Sequence, residues 1–599
     1  MFKESFGTAA VNLASEFILR GGGVYMLGKR EAPKPLLGAD KALDYELRPG
    51  SFHAELAAAA PTLFRDEEFS KLYSDRMGRP SVSPSQLAVL LLLQHEAQVS
   101  DQEAINRSAC DLRWSMVLGT QAGEPLCAKS TLQEFRAQLT INPELRAIFY
   151  ASIAEAKRVG LLKGTALRIA VDTKPINGRG AVEDTFNLLA SGMRQLGRAM
   201  AKLGARKFDD FMRANGLDRY TKSSLKGCAD IDWSDEQARN ALLTQVVFDA
   251  RHLLSKATSP KPNIRAAAKL LEQLLLQDVE TKKGDDGSEQ SNVKQGTAKG
   301  RMPSAADPDV RHGRKSSSKR FNGHKADIAV DQDSQVIVGY NVLAGDAGDA
   351  SGALDLVNQV ETNTDLDVAE TTGDCAYGGG PTRKQFNDAN RRLFAKVPKD
   401  TSTNGLFSKN AFTIDLENNT VTCPAGHETS KYHQEPDGGK KFVFGSTCSG
   451  CPLRSLCTTA TQGRSVTVNP QEGLIQDARN YQKTPEGRAH LRRRFVVEHR
   501  LARLAQLGIG QARYKGRKKT LFQLMMAAAI ANFRLAWNYE ARLKPHVTNF
   551  LRNLATRRLW KASYRRLAVI MATIRRTMSE LAKPQRYTNV AAAGRQIAA

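Results

Sequence analysis

The strongest constraint on this chain is where its hydrophobic period changes. Leu167–Val171, within "TALRIAVDTKPI", is a short β-type run that ends in Asp172 and meets a Pro/Gly break. Alternation returns only with "GHKADIAVD" and "SQVIVGYNVLAG", which read as neighbouring strands joined by a turn at Asp331–Ser334. Between these runs, residues of roughly 183–280 read as helix, and 281–320 as a polar, glycine- and serine-rich mobile loop. Further on, "ASGALDLVNQVET" predicts a helix, "VAETTGD" a strand edge running into Asp374, and "RRLFAKVPK" another strand. The order is β, long insertion, β, β, α, β. It predicts a mixed α/β sheet interrupted by a large insertion.

A chain of 599 residues is too long for one core, so several domains are expected. Residues 61–160 read as short helices. "SVSPSQLAVLLLLQHEAQV" and "SDQEAINRSA" begin at serine caps, and "KSTLQEFRAQL" carries a capping box from Thr131 to Glu134. These helices suit either a helix-turn-helix that binds DNA or a plain bundle. Residues 1–60 are an extension without a signal-peptide layout, and Met26 is a plausible alternative start. The apolar runs are too short to span a bilayer, so a cytoplasmic protein without membrane contact is expected.

The net charge of +25 is unevenly distributed. From Tyr481 to Ala599 there are 26 Lys and Arg against four Glu and no Asp. A block so poor in acids reads as a surface for a polyanion, and nucleic acid is favoured because no lipid anchor accompanies it.

Four of the eight cysteines, Cys110, Cys127, Cys228 and Cys375, are scattered and read as ordinary thiols. The others, Cys423, Cys448, Cys451 and Cys457, lie in a segment at 405–470 with metal-ligand spacing. Structural Zn²⁺ is the expected occupant, with an iron–sulfur cluster or no metal as alternatives. His427 and His433 are possible substitute ligands.

"TPEGRAHLRRRFVVEHRLARLAQLGIG" predicts a helix closed by glycines, with Arg494 and Glu498 one turn apart. Alone, that pair would be local helix support. After a basic knot, "RYKGRKK", a second helix is predicted to start with a capping box from Thr520 to Gln523.

Taken together, "AVDTKPI", "TGDCAYGG" and "RRRFVVEHR" resemble the DDE transposases of bacterial insertion sequences over about residues 70–540. The resemblance implies an α/β fold with a ribonuclease-H-like mixed sheet carrying large insertions at 161–540, broken at 181–280, 281–320 and 405–470. An N-terminal helical domain and a basic helical tail at 541–599 would flank it. It also implies that Asp172, Asp374 and Glu498 hold catalytic Mg²⁺ or Mn²⁺. Competing acids are Asp331, Asp333, Asp346 and Asp349, which read as turn residues.

The segment "DPDVRHGRKSSSKRFNGHKADIAVD" looks like the family's loop into its second strand. From it, Arg311, Arg314, Lys315, Lys319, Arg320 and Lys325 are candidate DNA contacts. Arg494, Arg503, Arg513, Lys515, Arg517, Lys518 and Lys519 are further candidates. The family's Tyr-x2-Arg-x3-Glu-x6-Lys signature is incomplete, since Leu491 and Ala505 occupy its tyrosine and lysine positions. The implied partners are double-stranded DNA, as terminal inverted repeats and target, and further copies of the chain in a dimer or larger synaptic complex. Rival readings are a metal-dependent nuclease that never joins strands, and a DNA-binding protein without catalysis.

Overall fold

The computed structural model describes residues 28–30, 47–73, 80–142, 146–283, 289–296, 298–316, 318–398 and 405–556, with side chains as far as Leu543. Most of the expected extension 1–60, with Met26, and most of the tail 541–599 lie outside the described residues. The chain divides into two compact units, Met1–Ala536 and Trp537–Ala599. Among the described residues no helix is long and apolar enough to cross a membrane.

The first unit is built on a mixed sheet. Its strands are β1 (Ala166–Asn177), β4 (Arg311–Arg314), β5 (Arg320–Asp331), β6 (Ile337–Ala344), β7 (Asp367–Gly373) and β8 (Leu393–Ala395); a hairpin of β2 (Val279–Lys283) and β3 (Glu289–Val293) stands apart. β1 pairs antiparallel with β5 and parallel with β7, β7 pairs parallel with β8, and β6 and β4 pair antiparallel with β5. The central strands are apolar on both faces, with Ile169, Ala170, Val171, Ile328, Ala329 and Val330 buried, as expected where both faces are covered. Helix Ala353–Thr364 connects β6 to β7.

The expected break after Asp172 is absent. β1 continues through Pro175 to Asn177, paired with Asp327–Gly323 of β5. Pro175 is tolerated because β7 leaves β1 after Ala170, so this part of β1 has a strand partner on one side only. The predicted helical insertion appears as four helices, Thr185–Leu203, Phe208–Ala214, Glu236–Ser255 and Pro262–Asp278, around their own core of residues such as Leu189, Met193, Val246 and Leu271. Residues 281–320 are not simply a loop, since they contain most of the β2–β3 hairpin and all of β4.

In the N-terminal helices the Ser83 and Ser100 caps are present, and each side chain accepts from the backbone N–H three residues on. A helix not anticipated, Leu112–Leu118, follows the second of these. Two capping boxes fail. Thr131 lies inside helix Lys129–Ile141, whose N-cap is Ala128. Thr520 lies inside a helix that starts at Arg517, and its hydroxyl donates back to the Gly516 carbonyl at 3.0 Å.

Candidate active site

Asp172 and Asp374 reach the same place because two parallel strands end their pairing together. The final register pair of β1 and β7 is Ala170 with Thr372, and two residues further along stand Asp172, still within β1, and Asp374, the first residue past the end of β7. Because side chains alternate, both acids occupy one face, on neighbouring strands about 4.8 Å apart. Asp374 also accepts the Ala376 N–H at 2.8 Å, capping a short turn Cys375–Tyr377.

Glu498 arrives from a separate element. The predicted glutamate helix is two helices, Pro485–Arg492 and Phe495–Gln506, with Arg494 as the N-cap of the second. From this junction Arg494 donates to Asp172 Oδ2 at 3.0 Å and pairs with Glu498. The expected i, i+4 ion pair is therefore half of a bridge linking two sheet and helix carboxylates. Gly508, at φ +86°, closes the helix, and Gly510 and Ala512 then bond the backbone of Asn177 on the free edge of β1.

Burial pushes the Asp172 carboxyl up to about 6; Arg494 opposes the shift, and the charges of Asp374 and Glu498 reinforce it. The three acids therefore sense one another, although only Glu498 is well exposed, with 55% of its side chain accessible against 18% for Asp172. Among the described residues, no group of three or more His, Cys, Asp or Glu is spaced to hold a metal ion. At the acids, the Arg494 guanidinium supplies the positive charge between Asp172 and Glu498.

The glycines after Asp374 are set by close packing. A Cβ on Gly378 would stand 2.1 Å from the Lys396 carbonyl oxygen, and one on Gly380 would stand 2.8 Å from Asn469 Oδ1. They are demanded by packing within the chain, and Gly379 alone of the three meets nothing nearer than 3.9 Å.

The competing acids are placed elsewhere. Asp331 accepts from the Ser334 N–H and hydroxyl, Asp333 pairs with Arg168, and Asp346 is exposed on the loop after β6. Asp349 is bound by Lys325 at 2.7 Å. Sequence reasoning missed Asp327 and Tyr377, both fully buried. The Asp327 carboxyl is raised to about 8, first by burial and then by Asp349 and Asp172. Asp172 pairs with Ile328, so Asp327 faces the opposite side of the sheet. An acid inside the alternating run "GHKADIAVD" was the available signal.

Several candidate DNA contacts are already committed within the protein. Lys325 is buried and donates to Asp349 and the Ala347 carbonyl. Arg513 donates to the Val99 carbonyl, Arg503 to Gln506, and Arg311 to the carbonyls of Pro308 and Val310. Lys325 is thereby removed as a surface contact. Arg314, Lys315, Lys319, Arg320, Lys515, Arg517, Lys518 and Lys519 are exposed. Lys174, overlooked in the sequence, lies half-buried two residues beyond Asp172 and on its face of β1.

The cysteine segment folds as two small three-stranded sheets around Phe412, Val421, Phe442, Phe444, Val466 and Val468. Cys423, Cys448, Cys451 and Cys457 share the lining of one cavity of about 20 Å³ with His427, while His433 lies on the edge strand Tyr432–Gln434. All four thiols are free, and burial raises that of Cys457. Because no metal-ready group is present among the described residues, zinc at this cluster gains no support.

Residues 422–536, which include Glu498 and the four clustered cysteines, match the family described as Transposase DDE domain. Residues 41–138 match Transposase domain (DUF772). No curated protein and no solved structure matches the chain. Asp172 and Asp374 lie outside both matched stretches, so their place in the site rests on the sheet geometry. The two family matches, one to each of these stretches, support an insertion-sequence DDE transposase.

Proposed function

We propose that this transposase cuts DNA strands at the ends of an insertion sequence and joins the freed 3′-hydroxyls to target DNA, with Asp172, Asp374 and Glu498 as the acids of one ribonuclease-H-like site. The observation that carries the reading is convergence. Two acids more than 200 residues apart fall on adjacent positions of one sheet face, and Arg494 ties the first of them to Glu498. The sheet supports it too, since β6, β5, β1, β7 and β8 stand in the order and directions that such a core requires.

As they stand the three carboxylates are not spaced to hold a metal ion, and the Arg494 guanidinium lies between two of them; with it displaced, Asp172, Asp374 and Glu498 offer the oxygen ligands a hard cation takes and would hold it. When bound, Mg²⁺ or Mn²⁺ supplies an activated hydroxyl and neutralises charge on the leaving oxygen. A cation needs Asp172 ionised, and Arg494 favours that charged form against its burial. Arg494 also has to release at least one carboxylate, which frees its guanidinium for a DNA phosphate.

The test is cleavage and joining of labelled duplex bearing the element's own ends, with Mg²⁺ or Mn²⁺. Asp172→Ala, Asp374→Ala and Glu498→Ala should each lower both steps by about 10³-fold while DNA binding persists. Cleavage without joined products would favour a nuclease. Binding with no cleavage in the wild-type protein would sink the catalytic reading.

A further inference from the structure

β4 and the start of β5 form a two-stranded ribbon whose charges find no ion-pair partner among the described residues. Arg314 stands directly opposite Arg320, and Lys315 and Lys319 flank the turn between them, closed by the Lys315 N–H donating to the Lys319 carbonyl at 2.8 Å. All four side chains are exposed, and among the described residues none makes an ion pair. Like charges placed opposite each other weaken a strand pair. Between Asp309 and Asp327 the sequence contains no acid at all.

The two acids just before the ribbon do not relieve this repulsion. Asp307 accepts the Gly516 N–H at 3.1 Å and Asp309 accepts the Arg517 N–H at 2.9 Å, so both carboxylates are turned onto the backbone of the basic knot. These bonds dock Lys515, Arg517, Lys518 and Lys519 at the ribbon's base. The end of β1 joins the same corner through the bonds of Asn177 to Gly510 and Ala512. One basic surface therefore leads from the acid cluster, past Lys174 and the knot, to the ribbon tip.

Its length follows from the register. Asp172 is level with Ile328 on β5, and Arg320 lies eight residues further out. At about 3.3 Å per residue the separation is about 26 Å, or about eight base pairs of B-form DNA.

We infer that this ribbon and knot hold the sugar–phosphate backbone of duplex DNA about six to eight base pairs from the phosphate that reacts at Asp172, Asp374 and Glu498. The inference rests on the proposed cleavage site and adds a second, distant contact to it. Exposed cations on a ribbon contact phosphates without reading sequence, so this surface contributes grip and alignment.

The experiment compares binding of the full-length protein to end-bearing duplexes that stop about 4 or about 14 base pairs from the cleaved phosphate, extended on the element side or on the flanking side. The wild-type protein should gain about tenfold in affinity from the longer duplex on one side only. The double variant Arg314→Ala/Arg320→Ala should lose that gain, and its salt slope on the long duplex should fall by about 1.8. Arg314→Lys/Arg320→Lys should retain most of both, which separates charge from a folding defect. Equal weakening on short and long duplexes, or a wild-type protein that cleaves but gains nothing from either extension, overturns the ribbon contact alone. Failure of the wild-type protein to bind any of these duplexes overturns the cleavage reading with it.

Discussion

At Asp327, folding has buried an ionisable group whose one polar side-chain neighbour among the described residues is the equally buried Tyr377 hydroxyl, too poorly placed to make a full hydrogen bond. Burial first, then the charges of Asp349 and Asp172, favour the protonated form and outweigh the opposing pull of Tyr377, holding the group at about 8. In the unfolded chain it returns to the ordinary carboxylate range. The folded state therefore binds the extra proton between about pH 4 and about pH 8, and stability is lost as pH rises through that window. Asp327→Asn should remove this slope. Urea midpoints at pH 5 and pH 8 should converge in the variant, whose relative gain at the higher pH should be about 1 kcal/mol or more. An unchanged difference between the two midpoints would show that Asp327 is ionised in the folded protein.

Elements at the site are held by close backbone approach more than by side-chain bulk. β7, the Cys375–Tyr377 turn and helix Gly380–Asp388 come together against the segment that follows β8, and Gly378 makes this possible. Gly378→Ala would push a methyl into the Lys396 carbonyl and displace the turn that Asp374 caps. We expect a loss of about 1–3 kcal/mol. Cleavage should fall further than the loss of folded protein explains, measured by activity per folded molecule at low temperature. Gly379→Ala, in a more open position, is the control and should cost less.

Across the first unit, one buried amide joins parts of the chain far apart in sequence. Asn532 accepts from the Ile337 N–H at 2.9 Å, donates to the Ile337 carbonyl at 2.8 Å, and reaches Ser152 on helix Ala147–Arg158. It thus satisfies the backbone of β6 with a side chain where no strand does so, and locks that strand to two helices. Asn532→Leu keeps the volume but strands two buried backbone groups. A destabilisation of about 2–4 kcal/mol is expected, read as one cooperative shift of the denaturant midpoint with unchanged slope. A change in slope would mean that the N-terminal helices unfold separately from the sheet.

Local patterning sufficed for elements whose signal is periodic or punctuated. The strands β1, β5, β6, β7 and β8, the helix between β6 and β7, the four-helix insertion region and the Ser83 and Ser100 caps were all legible, because each depends on residues near one another in the chain. The grouping of Asp172, Asp374 and Glu498 as one proposed site came from resemblance to a family and not from local pattern. Pairing decided the rest. Pro175 reads as a break until β1 is seen to have one strand partner there, and the Arg494–Glu498 pair reads as helix support until Asp172 approaches from β1. The need for glycine at 378 and 380 after Asp374 becomes visible only when the chain beyond β8 packs against them. Lys325 and Asp327 look alike as charged residues on an alternating strand; burial of both, with an ion-pair partner for Lys325 and no cation beside Asp327 among the described residues, arises only when the helix and loop after β6 cover that face. What a residue can form is written locally, whereas which charges meet, and which lose water, depends on contacts between segments distant in sequence.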